Sequence, residues 1–282
     1  DCNYPYDELC GCGVGFKLVQ ALNQELGFEF ADLEEYFDLL VVSIASDIVP
    51  VTGENRVLAY YGLKKINHSP RKGIKEILKL SALKRELNIT DVVFIIGPRI
   101  NAAGRMKSGM NAVKLLVSEE NGTAEELGKF IEGENKARKN FDKSITQEAL
   151  QLIEENEVFL NAKSTVLYNK SWHKGVIGIV ASRVIETHYK PTIILTESNG
   201  KAAGSARSVQ GFDVYNAIDA CSDLLEQFGG HKYAAGLTMN EENVPAFQER
   251  FEEIVEALDA KVIIQHEKMD IEKLPKIPAY LK

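Results

Sequence analysis

The 282-residue sequence lacks the features by which several protein classes are recognised. No apolar run approaches the roughly 18 residues that a membrane-spanning helix needs, and no signal-peptide pattern is present, so we expect no membrane partner. The four cysteines are too few for a disulfide scaffold in a chain of this length. Cys10 and Cys12 lack the two-residue spacer of zinc knuckles, which favours reduced cytoplasmic thiols and leaves a zinc site as the lesser alternative.

The sequence is also poor in positive charge. Its 33 Lys and Arg residues are outnumbered by 41 Asp and Glu residues, which gives a net charge of −8. This balance argues against a uniformly basic protein that coats nucleic acid. It does not exclude a nuclease with a local basic groove, because a phosphodiester site depends on local charge. With 45% hydrophobic and 26% charged residues, the composition is that of a globular protein and not of a disordered or collagen-like chain.

One long helix is the clearest predicted element. Thr123 and Glu126 form a capping-box pattern, and an apolar stripe with spacings of three and four continues to about Asn156. At 1.5 Å per residue this helix would be about 50 Å long. Its centre contains Glu134 and Arg138 and is too polar for burial in one core. We therefore interpret it as a bridge between two domains, with a coiled-coil arm as the alternative.

The segments on either side of this helix show mixed helix and strand patterns. Before it we predict helices at 14–26, 57–66, 73–87 and 111–117, a buried strand at 39–44 and a loop at 97–104. The first helix should turn four apolar side chains inward: Leu18, Val19, Leu22 and Leu26. After the long helix we predict strands at 165–168, 192–195, 202–208 and 235–239, and helices at 176–188, 214–228 and 244–258. Such alternation predicts an α/β domain.

Asp47 is the first candidate functional residue. It follows the predicted strand 39–44, and ligands of α/β sheets gather at the carboxyl ends of strands. A carboxylate at that position is a usual ligand of a divalent metal ion. The alternative is a structural Asp, either a helix N-cap or a turn residue ahead of Pro50.

The segment GPRINAAGRM, residues 97–106, is the second candidate. It carries Arg99, Asn101 and Arg105 among small residues that allow a ligand to approach closely. Guanidinium groups suit the bidentate binding of phosphate oxygens. The alternative is a glycine-punctuated loop with two surface arginines.

Three segments of the second predicted domain offer further anion contacts. SWHKGVIG, residues 171–178, opens a helix whose N-terminal amides suit a phosphate, although Trp172 could instead be a packing anchor. GSARS contains Ser205 and Arg207, and GGHKYAAG contains His231. By itself the double glycine predicts only a helix C-cap. Together, one candidate metal ligand and several phosphate-binding side chains favour a phosphoryl-group hydrolase or a protein that binds a phosphate backbone.

Six motifs, taken in order, resemble those of one known family. They are YPYDELCGCGVGFKLVQAL, SIASDIVP, GPRINAAGRM, WHKGVIGIVASRV, GSARS and GGHKYAAG, and they resemble the RecJ family of the DHH phosphoesterase superfamily over nearly the whole chain. The resemblance implies a cytoplasmic, metal-dependent 5′→3′ exonuclease that hydrolyses the phosphodiester bonds of single-stranded DNA in DNA repair and recombination. It also implies a pair of Mn²⁺ or Mg²⁺ ions as cofactors and single-stranded DNA as the partner.

The resemblance also implies roles for individual residues. Asp47 would be a catalytic metal ligand, and the phosphate-facing segment would contribute Arg99, Asn101 and Arg105. Ser205, Arg207 and His231 would grip the DNA end and its phosphates. The implied organisation is the C-terminal part of a DHH domain at 1–122, a connector helix at 123–157, a DHH-associated α/β domain at 158–260 and the start of a following segment at 261–282.

One departure from the family limits the expected activity. The Asp-His-His triplet and the early Asp-rich motifs of the superfamily are absent, and the sequence does not begin with Met. A single aspartate cannot hold two ions, so we expect a fragment that cannot cleave DNA by itself. The alternatives are another DHH phosphoesterase, acting on short oligonucleotides or cyclic dinucleotides, and a non-catalytic single-strand-binding module.

Overall fold

A computed structural model describes residues 3–47, 49–81 and 83–267 of the chain. Most of the predicted segment 261–282 lies outside these residues, as does Cys2. The chain divides into two compact units, Asp1–Lys139 and Asn140–Lys282. Among the described helices none is long and apolar enough to cross a membrane. The division at residue 139 falls within the predicted connector helix 123–157. The predicted domain boundaries at 122 and 157 remain a prediction.

The described part of the first unit is helical throughout. Its α-helices are α1 (Gly11–Leu26), α2 (Phe37–Asp47), α3 (Gly53–His68), α4 (Lys72–Ser81), α5 (Ile89–Asp91), α6 (Gly97–Met106), α7 (Met110–Leu116) and the first part of α8 (Asn121–Glu154). A 3₁₀ segment, Phe30–Tyr36, precedes α2, and a π-helical turn, Val92–Ile96, joins α5 to α6.

Helix α2 forms the centre of the first core and corrects the predicted strand 39–44. Leu40, Val41 and Ile44 are fully buried in a cluster that α1, α3 and the π-helical turn surround. A helix packed on several sides is apolar around its whole circumference, so its sequence reads as a continuous apolar run. A buried strand produces the same run, which is why periodicity alone gave the wrong element.

Helix α1 has the predicted position but not the predicted orientation. It ends at Leu26, before Gly27 in the left-handed conformation, as expected. Its buried side chains include Phe16, which packs against Phe37 with 5.7 Å between the ring centroids. The prediction that Leu18, Val19, Leu22 and Leu26 point inward is wrong, because all four are exposed, Leu18 and Leu26 by about two-thirds. In the described structure the aromatic contact decides which face of α1 is covered.

Helix α6 replaces the predicted loop at 97–104. Pro98 lies in its first turn, where the missing N–H has no intrahelical partner and proline is therefore tolerated. The long helix α8 is confirmed, although it begins at Asn121. Thr123 consequently does not form the predicted capping box: its hydroxyl donates to Glu120 Oε2 at 3.1 Å.

The second unit is the α/β part of the fold that the sequence predicted. After α8 it contains α9 (Glu157–Asn161), β1 (Thr165–Tyr168), α10 (Ile177–Thr187), β2 (Thr192–Ser198), β3 (Lys201–Arg207), α11 (Val214–Asp219), β4 (Gln227–His231), β5 (Ala234–Met239) and α12 (Val244–Glu267). The strands form one sheet in the order β1-β2-β3-β5-β4. The first pair is parallel and the other three pairs are antiparallel.

The two faces of this sheet have different coverings. Ala202 and Ala206 of β3 belong to the core that includes Phe247 of α12 and Ile218 of α11. Side chains alternate along a strand, so Ser205 and its neighbours at odd positions face the other side, against which α10 packs. The β2–β3 turn, with Asn199 at φ 57° and Gly200 at φ 77°, lies at the end of β3 away from Arg207.

The predicted helix 214–228 is wrong in its second half. Helix α11 ends at Asp219, and Gln227–His231 forms the strand β4, paired with β5. Gly229 and Gly230 therefore lie within a strand and do not cap a helix. Glycine locally favours a helix end over a strand, and the pairing of β4 with β5 overrides that preference.

Candidate nucleic-acid interface

The motifs GSARS and GGHKYAAG meet on three adjacent strands of the second unit. Ser205 on β3 pairs with Gly236 on β5, and Gly236 pairs with Gly229 on β4. These three residues form one row across the sheet on the face that α10 partly covers. Both glycines are exposed, and a Cβ on Gly229 would have no heavy atom within 4 Å. We call the surface over Gly229 and Gly236 the glycine shelf.

A second row lies beside the first and carries the basic side chains. Arg207 pairs with Ala234, and Ala234 pairs with His231 at the end of β4. Because alternate residues of a strand share a face, Arg207 and His231 lie on the same side of the sheet as the glycine shelf. The three predicted contacts Ser205, Arg207 and His231, which are 26 residues apart at most in the sequence, thus share one surface.

The first turn of α10 borders these two rows. A Cβ on Gly178 would lie 2.9 Å from both the Ser205 hydroxyl oxygen and Nη2 of Arg207, so both side-chain tips reach the helix start. The amide groups of a first helical turn carry partial positive charge, and Val176 provides no side-chain cap for them. A hydroxyl, a guanidinium and a helix N-terminus are therefore placed around one position, a combination that suits an anion.

Internal hydrogen bonds orient the side chains of this surface. Arg207 donates from Nη1 to the Ser205 hydroxyl at 3.0 Å and to the carbonyl of Ala206 at 2.7 Å, which holds the guanidinium along β3. His231 accepts the backbone N–H of Tyr233 at Nδ1, at 3.2 Å. In the neutral imidazole the proton then sits on Nε2, which leaves that nitrogen as a donor.

Trp172 and His173 anchor the second part of α8. The Trp172 indole is buried and donates from Nε1 to Glu148 Oε2 at 2.9 Å. The His173 ring stacks on Phe141, with 5.2 Å between the ring centroids. These contacts support the interpretation of Trp172 as a packing anchor.

In the first unit, Asp47 is the last residue of α2 and is exposed. The Ser43 hydroxyl lies 3.5 Å from Asp47 Oδ2. A Cβ on Gly97 would lie 2.9 Å from the hydroxyl oxygen of Ser46, so the start of α6 packs against the end of α2. The motifs SIASDIVP and GPRINAAGRM are thus neighbours, as expected of parts of one site.

The described residues around Asp47 do not complete a metal centre. Among them, no three His, Cys, Asp or Glu side chains converge in a way that could hold a metal ion. Partial burial, together with Cys10 and Asp47, raises the pKa of the Cys12 thiol. The Cys12 thiol is therefore mainly protonated at neutral pH while no metal ion is bound. The described donors therefore do not fit a two-metal centre by themselves.

The three polar residues of α6 have two different environments. Arg99 is nearly buried and donates from Nε to Glu132 Oε2 at 2.7 Å and from Nη1 to the carbonyl of Ile95 at 2.8 Å. Asn101 and Arg105 are exposed and four residues apart, which places them on one face of α6. Arg99 therefore holds α6 against α8, while Asn101 and Arg105 are on the surface.

Sequence reasoning missed the glycine shelf and Gly178. The two glycines of the shelf are contributed by strands whose pairing is not local, so no window of the sequence shows that they are adjacent. Gly178 carried a weak signal, since a glycine in the first turn of an otherwise branched and apolar helix indicates a close approach.

Residues 161–257 match the DHHA1 domain family. Over 258 residues the chain is 40% identical to the single-stranded-DNA-specific exonuclease RecJ of Bacillus subtilis (strain 168), an alignment that covers 90% of this chain and 32% of the relative. The RecJ of Escherichia coli (strain K12) is 34% identical, with 93% of this chain and 49% of the relative covered. The chain thus spans about a third to a half of the length of these curated relatives.

Solved structures give the same result. The structure of RecJ from Thermus thermophilus in complex with Mg²⁺ matches with a TM-score of 0.80 and 31% identity, covering 90% of this chain and 39% of that one. A structure of exonuclease RecJ bound to manganese matches with a TM-score of 0.77, 31% identity and coverage of 90% and 63%. The resemblance to RecJ that the six motifs predicted is confirmed over most of the chain, as is the mixed α/β fold class.

Proposed function

We propose that this chain is the part of a RecJ-like 5′→3′ exonuclease that binds single-stranded DNA near the end to be hydrolysed. The observation that carries the proposal is the arrangement of Ser205, Arg207 and His231 in two adjacent rows beside the first turn of α10. The relatives that the chain matches are named single-stranded-DNA-specific exonucleases. Hydrolysis of the phosphodiester bond is proposed for the complete protein.

In this proposal the second unit holds the phosphates. Arg207 binds one phosphate through its guanidinium, and the Ser205 hydroxyl and the amides of the first turn of α10 donate to the same group. His231 donates from Nε2 to a phosphate oxygen. The glycine shelf lets the sugar–phosphate chain approach the sheet backbone, because no side chain projects there.

The first unit contributes Asp47 and the polar side chains of α6. Asp47 is the proposed catalytic metal ligand, and Arg99, Asn101 and Arg105 are the proposed phosphate contacts. Arg99 can take this role while bonded to Glu132, because its two hydrogen bonds use Nε and Nη1 and a guanidinium has five N–H groups. The support for Asp47 is its position at the end of α2, next to the start of α6.

The cofactor of the complete enzyme is proposed to be Mn²⁺ or Mg²⁺, the ions named in the solved RecJ structures. The described donors near Asp47 do not form a metal centre, so we expect no cleavage by the 282-residue chain alone. The same observation favours a second candidate function, a single-strand-binding module without catalysis. Cleavage of 5′-labelled single-stranded DNA by the chain with Mn²⁺, abolished by Asp47→Ala, would contradict both statements.

The proposal extends to the role and location of the complete protein. A nuclease specific for single-stranded DNA acts where strands have been exposed, which fits DNA repair and recombination. A cytoplasmic location is supported by the free thiols of Cys10, Cys12 and Cys221.

Titration of single-stranded DNA against the chain and its Arg207→Ala variant tests the proposal. Loss of a charge-assisted hydrogen bond to phosphate should weaken binding about tenfold or more. The slope of log affinity against log salt should fall by about 0.7, the value for one phosphate contact on a single strand.

Arg250→Ala is the matched control, because Arg250 is a half-exposed arginine of the same unit, as Arg207 is, and is bonded to Asp223 at 3.2 Å. Fluorescence anisotropy of a 5′-phosphorylated oligonucleotide measures both affinities. Equal affinities of wild type and Arg207→Ala at low salt would exclude Arg207 from the interface.

A further inference from the structure

The tip of the β4–β5 hairpin presents an aromatic side chain beside the two rows. Lys232 and Tyr233 form the two-residue turn between His231 and Ala234. Tyr233 is 57% exposed, so packing within the described structure does not account for a large aromatic side chain at this position. Tyr233 precedes Ala234 in the sequence, and its ring centroid lies 6.3 Å from that of His231, which belongs to the row that contains Arg207.

Two backbone–backbone hydrogen bonds and one backbone–side-chain hydrogen bond fix the position of this turn. The carbonyl of Lys232 accepts the N–H of Val214 at 3.1 Å, and the carbonyl of Tyr233 accepts the N–H of Ser208 at 3.0 Å. The N–H of Tyr233 is bonded to His231 Nδ1. Ser208 follows Arg207 directly, so the same contacts tie the turn to the end of β3. These bonds order the backbone that carries the ring, so binding of a ligand to the ring requires little ordering of the turn itself.

The neighbours of the Tyr233 ring are basic. Nζ of Lys232 lies 5.7 Å from the centre of the ring, and the His231 ring lies 6.3 Å away in an edge-on arrangement. An aromatic ring surrounded by phosphate-binding groups is the arrangement by which proteins bind single strands: the cations hold the backbone and a base stacks on the ring.

We propose that Tyr233 stacks on a base of the bound single strand, in the nucleotide next to the phosphate held by Arg207 and His231. This inference rests on the proposed function, because it requires that the two rows bind single-stranded DNA. It adds a contact to the face of a base, whereas Ser205, Arg207 and His231 are proposed to contact the sugar–phosphate backbone. Stacking accepts any base, so this contact increases affinity without selecting a sequence.

The test uses Tyr233→Leu and Tyr233→Phe in the full chain, with Tyr60→Leu as the control. Tyr60 is a similarly exposed tyrosine, on α3 of the first unit. Tyr233→Leu should weaken binding of single-stranded DNA at least about fivefold, the lower end of the range for one stacked base. Tyr233→Phe and Tyr60→Leu should bind as wild type does, because the first keeps the ring and the second lies outside the rows.

A 5′-phosphorylated oligonucleotide with 2-aminopurine near its 5′ end reports the stacking itself. Its emission should be quenched on binding to wild type and Tyr233→Phe and should stay bright with Tyr233→Leu. Replacing the probed base by an abasic site should weaken wild-type binding by the same factor as Tyr233→Leu, and should weaken that variant no further.

The outcomes separate this inference from the proposed function. Normal binding by Tyr233→Leu, or equal losses in Tyr233→Leu and Tyr233→Phe, would overturn stacking while a loss in Arg207→Ala still supported the phosphate contacts. If wild type did not bind the oligonucleotide, or if Arg207→Ala bound as wild type does, the proposed function and the stacking would both be overturned. Thermal unfolding followed by circular dichroism identifies any variant whose fold has changed.

Discussion

The neighbouring glycines of β4 allow binding to be perturbed without perturbing the fold. A Cβ on Gly229 would meet no heavy atom within 4 Å, whereas a Cβ on Gly230 would lie 2.3 Å from the carbonyl oxygen of Ala234 and 2.6 Å from the Cα of Ala235. Gly230 also has a φ of 151°, which side chains rarely adopt. Gly229→Ala should therefore change only the glycine shelf, and Gly230→Ala should change the hairpin.

The expected changes in stability have opposite directions. Alanine in a strand is about 0.5–1 kcal/mol more favourable than glycine, so Gly229→Ala should leave the free energy of unfolding equal or slightly raised. Gly230→Ala adds backbone strain of about 1–3 kcal/mol and overpacking of about 1–3 kcal/mol. A loss of a few kcal/mol is a large fraction of the roughly 5–15 kcal/mol that stabilises a protein. Urea unfolding followed by circular dichroism measures both variants.

Binding of single-stranded DNA should respond to Gly229→Ala although stability does not. A methyl group placed where the sugar–phosphate chain contacts the shelf should cost about 1–3 kcal/mol, which corresponds to a loss of affinity of about 5- to 150-fold. Gly133→Ala is the matched control, because its Cβ would also meet no heavy atom within 4 Å and it lies on α8 in the first unit. Anisotropy of a labelled oligonucleotide gives the affinities.

Two results would refute this reasoning. If Gly229→Ala bound single-stranded DNA with unchanged affinity, the bound DNA would not contact the glycine shelf. A stability loss in Gly229→Ala as large as that in Gly230→Ala would mean that the space above Gly229 is needed by the protein and not by a ligand.

Two further predictions concern the first unit and the buried thiol. Arg99→Ala should lower the free energy of unfolding by about 1–3 kcal/mol, because it leaves the nearly buried Glu132 carboxylate without its partner. The double variant Arg99→Ala/Glu132→Ala should lose less free energy of unfolding than the sum of the two single-variant losses. Strictly additive losses in urea unfolding would contradict the pairing. Burial raises the pKa of Cys221 to about 11, so at a pH of about 8 the native thiol should resist iodoacetamide and should react once urea unfolds the chain. Mass spectrometry that found Cys221 modified in the native protein as fast as Cys12 would contradict this expectation.

The sequence predicted the second unit better than the first, because its elements produce local signals. The strand Thr165–Tyr168 and the starts of β2 and β3 follow from short apolar runs bounded by turn residues. The exception is β4, where the pattern around Gly229 is compatible with a helix end and only pairing with β5 makes it a strand.

In the first unit, hydrophobic periodicity predicted neither the type of the element at 39–44 nor the buried face of α1. The apolar run at 39–44 does not distinguish a buried helix from a buried strand. The leucines of α1 formed a regular stripe, yet Phe16 and its contact with Phe37 determine the covered face in the described structure. Both errors arise because burial depends on neighbours that are distant in the sequence.

For the candidate site, residue types could be predicted and their arrangement could not. Ser205, Arg207 and His231 were identified by chemistry and motif, and the strand register explains why they share a surface. That Arg99 is engaged by Glu132 depends on the packing of α6 against α8, which no local pattern contains. The stacking proposed for Tyr233 was suggested by its exposure at the hairpin tip, which the sequence alone does not show.

The β2–β3 turn at Asn199 and Gly200 has a practical consequence for experiments on this protein. It lies at the opposite end of β3 from Arg207, and the length of that strand separates the two by roughly 20 Å. A cysteine introduced at Ser198, which adjoins this turn and has no positive φ, could carry a fluorophore or a tether for surface attachment while the glycine shelf stays accessible. A protein attached through that position could be used to observe the binding of single DNA molecules.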